Sequence, residues 1–395
     1  MRRLAVLTTH PIQYQAPWFR SLAAHPELDL EVLFCHKATP AEQAAAGFGI
    51  EFDWDVSLLE GYSYRFLENV ARAPTVATFT GLDTPEIFNV IRNAKYDAVI
   101  VNGWHYKSAW QAMRACWQTK TPVMARSDSH LHTKRALLKR VAKRPFYSWF
   151  ISKLAACLPV GKWSRDYFLH YGARPELIFI VPHVVDTDYF AAESARLLRV
   201  RNELRAHWKV NEAGVVFLFV GKFVDKKRPM DFVKALEQAA QRGAPAAGLM
   251  VGDGPLRSIC ETHCSTHNVP VHFAGFLNQS EIAKAYVAAD ALILPSNGGE
   301  TWGLVANEAM ACARPCLVSD HVGCGPDLIV PDETGAVFPL GDIGQLAALI
   351  ERYSSEPGAL SKMGCNAQAQ IQSQPARQSV DNLINAISLV TAKPR

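Results

Sequence analysis

The sequence predicts an α/β protein built from two doubly wound, parallel-sheet units. Three observations carry that expectation. Short apolar runs rich in Val, Ile, Leu and Phe alternate with amphipathic stretches almost from end to end, the pattern of buried parallel strands followed by helices. The alternation stops near residue 182 and restarts near 215. The length of 395 residues, 49% of them apolar, suits two or three domains with ordinary cores and excludes global disorder.

Taken in order, the first half holds candidate strands at 4–8, 30–34, 97–101, 122–125, 156–160 and 178–181. Its first run follows a basic pair, Arg2-Arg3, and is cut short by His10-Pro11, so it reads as a buried strand and not as a secretory signal. A break at Pro182-His183-Val184-Val185-Asp186 leads into a polar, helix-prone stretch at 191–213. Strands then recur at 215–220, 248–251, 271–273, 291–294, 315–318 and 335–338, and a helical period runs from about 376 to 392. The expected domains are 1–190 and 191–375, with the helix at about 376–392 free to pack back on the first. No apolar stretch of about 18 residues runs without a charge, so no spanning helix is expected.

Nine cysteines, an odd number scattered through strand-like and helical segments, argue against a disulfide framework and for a reducing cytoplasm. Cys260/Cys264 and Cys312/Cys316 are spaced to share one face of a helix, but the tight pairs of closed zinc sites are absent, and no metal is expected.

In open parallel sheets ligands bind beyond the carboxyl ends of the strands, and in two-domain proteins the cleft between domains is favoured. The segment with the most chemistry is 295–316. There a strand is followed by a glycine loop, then by helical periodicity from about Trp302, and the unpaired amides of such a helix start suit a phosphate. Glu300 precedes the helix and Glu308 lies within it, a spacing that fits a ligand with two polar ends and a charged middle, such as a nucleoside diphosphate sugar. The competing readings are a first-turn glutamate favoured by the helix dipole and a solvated Glu308, although Ala306, Ala309, Met310 and Ala313 surround the latter with small or apolar residues. After the strand at 215–220, Lys222, Lys226, Lys227 and Arg228 could neutralise a diphosphate without a metal, or simply face water.

Together these residues resemble glycosyltransferase family 4, retaining enzymes that use nucleotide sugars and have the GT-B fold. The family pattern is met by Ser296, Glu300, Trp302-Gly303-Leu304, Glu308 and Ala309-Met310-Ala311, and it continues in Val251-Gly252-Asp253-Gly254-Pro255, Phe273-Ala274-Gly275-Phe276-Leu277, Ala289-Asp290-Ala291 and Thr334-Gly335. The resemblance implies two Rossmann-like domains facing across a cleft. It implies that Glu300 binds donor-sugar hydroxyls, that amides around Thr301, Trp302, Gly303 and Leu304 hold the diphosphate, and that Glu308 binds the ribose. Lys222 and Lys227 would stabilise the leaving diphosphate, with Gly252, Phe276 and Leu277 completing the donor side. Lys222 replaces the family's usual Arg, Ala313 stands where a glycine is usual, and Gly323-Cys324-Gly325 departs from the common glycine pair.

On the acceptor side, the run His10-Pro11-Ile12-Gln13-Tyr14-Gln15 is bulkier than the family's glycines and resembles a bacterial subgroup. Asp128, a candidate catalytic residue, occupies the position where the family often has a His, and it equally suits a helix cap. His10, Gln13, Tyr14, His105 and His130 are its candidate companions. Between residues 129 and 165 the only charged side chains are cationic (134, 135, 139, 140, 143, 144, 153, 162 and 165), against a net charge of +4 for the whole chain. With Phe146, Tyr147, Trp149 and Phe150 alongside, residues 134–153 could rest on anionic lipid or form a solvated face; nucleic acid is not expected, because no binding motif accompanies the charge.

The expected function is retaining, metal-independent transfer of a hexose-type sugar from a nucleotide donor, expected to be UDP-linked, to a glycan or lipid-linked acceptor in bacterial cell-surface polysaccharide synthesis. The expected location is the cytoplasm or the inner face of the cell membrane. The alternatives are a nucleotide-sugar epimerase or nicotinamide oxidoreductase, which lacks its Gly-x-Gly-x-x-Gly after the first strand, and a catalytically silent nucleotide-sugar-binding protein of the same fold.

Overall fold

The computed structural model describes residues 1–43, 50–132, 137–210, 214–373 and 375–392. Of the basic segment, residues 134 and 135 lie outside the described residues, as do the side chains of 139 and 140. The chain divides into two compact units. Unit 1 holds Met1–Ala38, Ser57–Val185 and the helix Pro375–Ala392; unit 2 holds the described parts of 39–56 together with those of 186–374. The sequence-derived division at 190/191 thus falls five residues late and treats 39–56 as part of the first unit.

Unit 1 contains β1 (Arg2–Thr8), β2 (Leu28–Phe34), β3 (Ser63–Phe66), β4 (Ala98–Asn102), β5 (Val123–Ser127) and β6 (Ala156–Pro159), in the order β3-β2-β1-β4-β5-β6 with every pairing parallel. Unit 2 repeats the plan with β7 (Val215–Val220), β8 (Ala246–Val251), β9 (Val271–Gly275), β10 (Ala291–Leu294), β11 (Cys316–Ser319) and β12 (Gly335–Phe338), in the order β12-β11-β10-β7-β8-β9. Both are the doubly wound arrangement with its switch point beside the unit's first strand. Each sheet therefore opens a crevice at the carboxyl ends of β1/β4 and of β7/β10.

Strand β1 shows why the runs are continuously apolar. Leu4 and Val6 join Trp18, Phe19, Leu22 and the C-terminal helix residues Leu383 and Ile387 in one core. Ala5 and Leu7 join Ile91, Ala112, Met113, Phe150 and Phe168 in another. A strand covered on both faces has no polar side to display. The helix Pro375–Ala392 is held to unit 1 by polar contacts as well: Asn382 Nδ2 donates to the Ile180 carbonyl at 2.7 Å.

Two elements differ from the sequence reading. Residues 178–181 are extended but form only an isolated bridge, Phe179 and Val181 donating to the Cys157 and Pro159 carbonyls at 3.0 and 2.8 Å. The sixth strand of the sheet is instead β3, a mostly exposed edge strand with the sequence Ser-Tyr-Arg-Phe. Parts of the family-like pattern also prove architectural. Asp290 takes Arg201 and Arg205 at 2.5 Å each and the Val216 amide at 2.7 Å, and the buried Thr334 hydroxyl bridges the Leu328 carbonyl and the Val330 amide. All nine cysteines are free and only Cys365 is exposed; Cys260 and Cys264 share one helix, Arg257–His267, whereas Cys312 caps a helix and Cys316 opens β11. Among the described residues no helix is long and apolar enough to cross a membrane.

Candidate active site

In unit 2 the loops after β7, β8 and β10 are locked together through backbone. Phe223 N donates to the Asp253 carbonyl at 2.8 Å and Leu256 N to the Phe223 carbonyl at 3.0 Å. Gly252 has φ +126°, and a Cβ there would lie 2.0 Å from the Gly221 carbonyl oxygen, so only glycine allows the two turns to touch. The Asn297 amide donates to the Lys226 carbonyl at 2.8 Å, tying the lysine loop to the glutamate loop. A further loop clasps the second: Gly323 N and Cys324 N donate to the Glu300 and Trp302 carbonyls at 3.0 and 2.9 Å, and a Cβ on Gly323 would lie 1.9 Å from the Thr301 carbonyl oxygen. The departure at Gly323-Cys324-Gly325 keeps the glycine that this contact requires.

This scaffold sets the Lys227 ammonium on the Glu300 carboxylate as an ion pair with both side chains only 12% exposed. Burial pushes the Glu300 carboxyl up, but Lys227, then Lys226 and the Ser296 hydroxyl, outweigh it and hold the group below the usual glutamate range. Lys222 is also lowered, which for an amine favours the neutral form: burial, then Lys226 and Lys227, bring its ammonium down to about 8, against the pull of Glu300.

The helix after the glutamate loop is Leu304–Ala311, entered through Gly303 at φ +105°, so it starts two residues later than the periodicity suggests. Its first amides have no intrahelical partner. Trp302 faces inward, its indole N–H donating to Asn307 Oδ1 at 2.9 Å. Glu308 sits in the second turn, where its Oε2 accepts from the Tyr286 hydroxyl at 2.7 Å. Burial pushes this carboxyl up to about 7, even though hydrogen bonds from Tyr286 and Gln279 and the charge of Lys227 favour the anion. Phe276 packs on Phe52 with ring centroids 4.4 Å apart, and Asn278 Nδ2 donates to the Asp53 carbonyl at 2.8 Å. Ser280 bonds Asp55 through both its amide and its hydroxyl. Residues 52–55 therefore brace the Phe276–Leu277 loop, which nothing in their composition signals.

In unit 1 the loops after β1 and β5 place Tyr14 and Asp128 in one electrostatic group with Arg126 and His183. Tyr14 meets His183 edge to face at 5.5 Å. Burial and then the charge of Asp128 raise the Tyr14 phenol to about 12. The buried Arg126 donates to the Val181 and Pro182 carbonyls at 3.2 and 2.9 Å, lies 3.3 Å from His183 Nδ1, and stacks on Trp18 at 4.7 Å. Burial and that guanidinium lower His183 to about 3 despite Asp128, so the imidazole is neutral near neutral pH. Arg126 and His183 are the members that the sequence reading did not single out; a cation inside the run Val-Met-Ala-Arg-Ser was the available signal, since a buried charge needs partners. Gln13 Oε1 is buried with no hydrogen-bond partner among the described residues. Of the three candidate histidines, His10 Nδ1 meets the Thr9 hydroxyl at 3.0 Å, His105 is exposed, and His130 is buried against His132 and Trp163.

Comparison with known proteins bears on both units. Residues 29–189 match the model of Glycosyltransferase Family 4 and residues 200–370 that of Glycosyl transferases group 1. A 2-deoxystreptamine glucosyltransferase from Streptomyces kanamyceticus is 30% identical over 188 residues, 47% of each chain. A D-inositol 3-phosphate glycosyltransferase from Streptomyces bingchenggensis is 28% identical over 209 residues, 50% of this chain and 44% of that one. The chain thus spans about half the length of the curated relatives it matches. Among solved structures, Anabaena HepE in complex with UDP superposes with a TM-score of 0.73 at 16% identity, covering 98% of this chain and 100% of that one, a likeness of fold. With two sheets of the same doubly wound order and both family models matched in sequence order, the chain belongs to the family 4 type of glycosyltransferases and carries their GT-B fold.

Proposed function

We propose that the protein is a retaining glycosyltransferase that moves a hexose-type sugar from a UDP-linked donor to a glycan or lipid-linked acceptor in bacterial cell-surface polysaccharide synthesis. The observation that carries this reading is the Lys227–Glu300 ion pair, flanked by Lys222 and Lys226 beside an open helix start. Three ammonium groups around one carboxylate leave an excess of positive charge where a diphosphate would sit. A donor pyrophosphate would draw Lys227 from Glu300 and release the carboxylate to the sugar hydroxyls. As the sugar–phosphate bond breaks, negative charge grows on the departing phosphate oxygens, and preorganised ammonium groups and amides stabilise that state more than the ground state, without a metal at the donor. Glu308 would take the ribose hydroxyls.

Asp128 would accept a hydrogen bond from an acceptor hydroxyl and Tyr14, held as a phenol, would donate one. The neutral His183 serves Arg126 as an acceptor in this reading, not the substrate as an acid. An anionic membrane is the proposed surface for a lipid-linked acceptor. On the helix Leu137–Ser152, Phe146 and Trp149 are each 49% exposed beside exposed Lys143 and Arg144, with Trp110 and Trp117 behind them. Transfer assays across nucleotide sugars, with wild type, Glu300→Ala and Asp128→Asn, test the whole reading. Turnover with UDP-sugars that Glu300→Ala abolishes is expected. Tight nucleotide binding without transfer to any acceptor would replace the enzyme by a silent binding protein.

A further inference from the structure

A second cluster of chemistry lies in unit 2 outside the donor loops. The helix Pro229–Gln241 carries Glu237, and the neighbouring helix Arg257–His267 carries His263 and His267, four apart and hence on one face. His263 Nε2 lies 2.7 Å from Glu237 Oε2, and His267 Nδ1 lies 2.9 Å from Glu237 Oε1. The two imidazole rings are stacked 4.3 Å apart with 10° between their planes, so both present nitrogen toward the same carboxylate. The buried face of the same helix belongs to Cys260 and Cys264, which leaves the histidines to the rim.

We propose that Glu237, His263 and His267 form a binding site for a divalent first-row transition-metal ion of the zinc class. Two imidazole nitrogens and one carboxylate oxygen are the donor set such ions prefer, and three protein ligands with a water in the fourth position is a common zinc arrangement. The three donor atoms lie within 4.8 Å of one another. The edge of a zinc tetrahedron is roughly 3.3 Å, so loading would slightly open the two carboxylate–imidazole contacts of 2.7 and 2.9 Å and seat the ion between the three donors, a rotation of side chains and not a backbone shift. Side-chain exposures of 16% for Glu237, 21% for His263 and 48% for His267 leave the site reachable yet partly shielded. Among the described residues no Lys or Arg is in ion-pair range of Glu237, so no fixed cation holds the place that the metal would take. An open groove of about 410 Å³, lined by Met230, Ser258, Ile259, Thr262 and Thr266 besides the two histidines, gives the remaining coordination position room for water or a small ligand. The ion would cross-link the far ends of two helices whose near ends begin at the Lys222–Arg228 and Gly252–Pro255 loops.

The test is calorimetric titration of the EDTA-dialysed full chain with Zn²⁺, together with visible absorption on adding Co²⁺. One saturable site is expected, with a rise in Tm on loading and tetrahedral cobalt bands free of thiolate charge transfer. His263→Gln combined with His267→Gln should weaken Zn²⁺ binding at least about tenfold and abolish the Tm rise, and Glu237→Gln, a single change that keeps the fold, should weaken it as well. The proposal is overturned if the wild type takes up no Zn²⁺ saturably below about 100 µM. It is equally overturned if the double variant binds as tightly as the wild type, or if cobalt shows a thiolate band that assigns the metal to a cysteine.

Discussion

On the proposed function, Lys222 and Glu308 would set opposite pH limits on the same donor loops. Glu308 must be a carboxylate to accept ribose hydroxyls, and its group ionises only as pH rises through about 7. Lys222 must be an ammonium to meet a diphosphate, and it discharges as pH rises through about 8. A narrow bell in kcat/KM for the donor is therefore expected, with limbs near those two values. Lys222→Arg, whose guanidinium stays charged, should carry the alkaline limb upward while leaving the acid limb in place. A pH–rate profile of the two proteins checks this, and an unmoved alkaline limb would remove Lys222 from the site. Glu308 also has a stability consequence. A carboxyl whose folded value is raised from 4.5 to about 7 contributes stability that is fully present below 4.5 and lost as pH climbs through 7. Glu308→Gln should therefore melt higher than wild type at pH 8 and alike near pH 4, whatever it does to donor binding. Lys227→Ala should slow transfer by roughly a hundredfold, a loss measured in kcat if the ammonium acts on the leaving group.

At the scale of elements, the helix Leu304–Ala311 ends in a left-handed residue, as many helices do, but that residue is Ala313 at φ +57°. An alanine there pays a left-handed penalty that glycine escapes. Ala313→Gly should stabilise the protein by about 0.5–1 kcal/mol after the extra chain entropy of glycine is deducted, read as a higher midpoint in urea. Gly252→Ala should do the reverse, because its Cβ would collide with backbone. Legibility follows the same physics. The buried strands could be read from their apolar runs, and the donor loops from a motif whose glycines are forced by backbone contact. Strand β3 could not, since an exposed edge strand needs no apolar run. Nor could the bracing of Phe276 by Phe52, or the meeting of Glu237 with His263 and His267, because each joins side chains from separate elements. Only the four-residue spacing of His263 and His267 was visible, and spacing alone does not supply the third ligand.

At the scale of the molecule, the charge average of +4 conceals a basic, aromatic surface on unit 1. Reversing Lys143 and Arg144 to glutamate, with Trp149→Ala, should reduce sedimentation with anionic vesicles and leave that with neutral vesicles unchanged; undiminished sedimentation would discard the membrane surface. The two units also differ in how much of their pattern reports function. The proposed donor side carries a dense motif, although Asp290 and Thr334 within it serve the architecture, whereas the proposed acceptor side would depend on Tyr14, Asp128, Arg126 and His183, which lie far apart in sequence and are gathered only by the fold.

The helix Pro375–Ala392 sets the order in which the protein can be made. Leu383, Ala386 and Ile387 complete a core whose other members include Leu4, Val6 and Phe19, which leave the ribosome long before them. Vectorial synthesis therefore delivers unit 2 whole while one apolar face of the N-terminal sheet still waits for cover, and chaperones would be expected to hold it through that interval. A chain stopped after residue 374 should lose unit 1, not unit 2, and precipitate through that uncovered face.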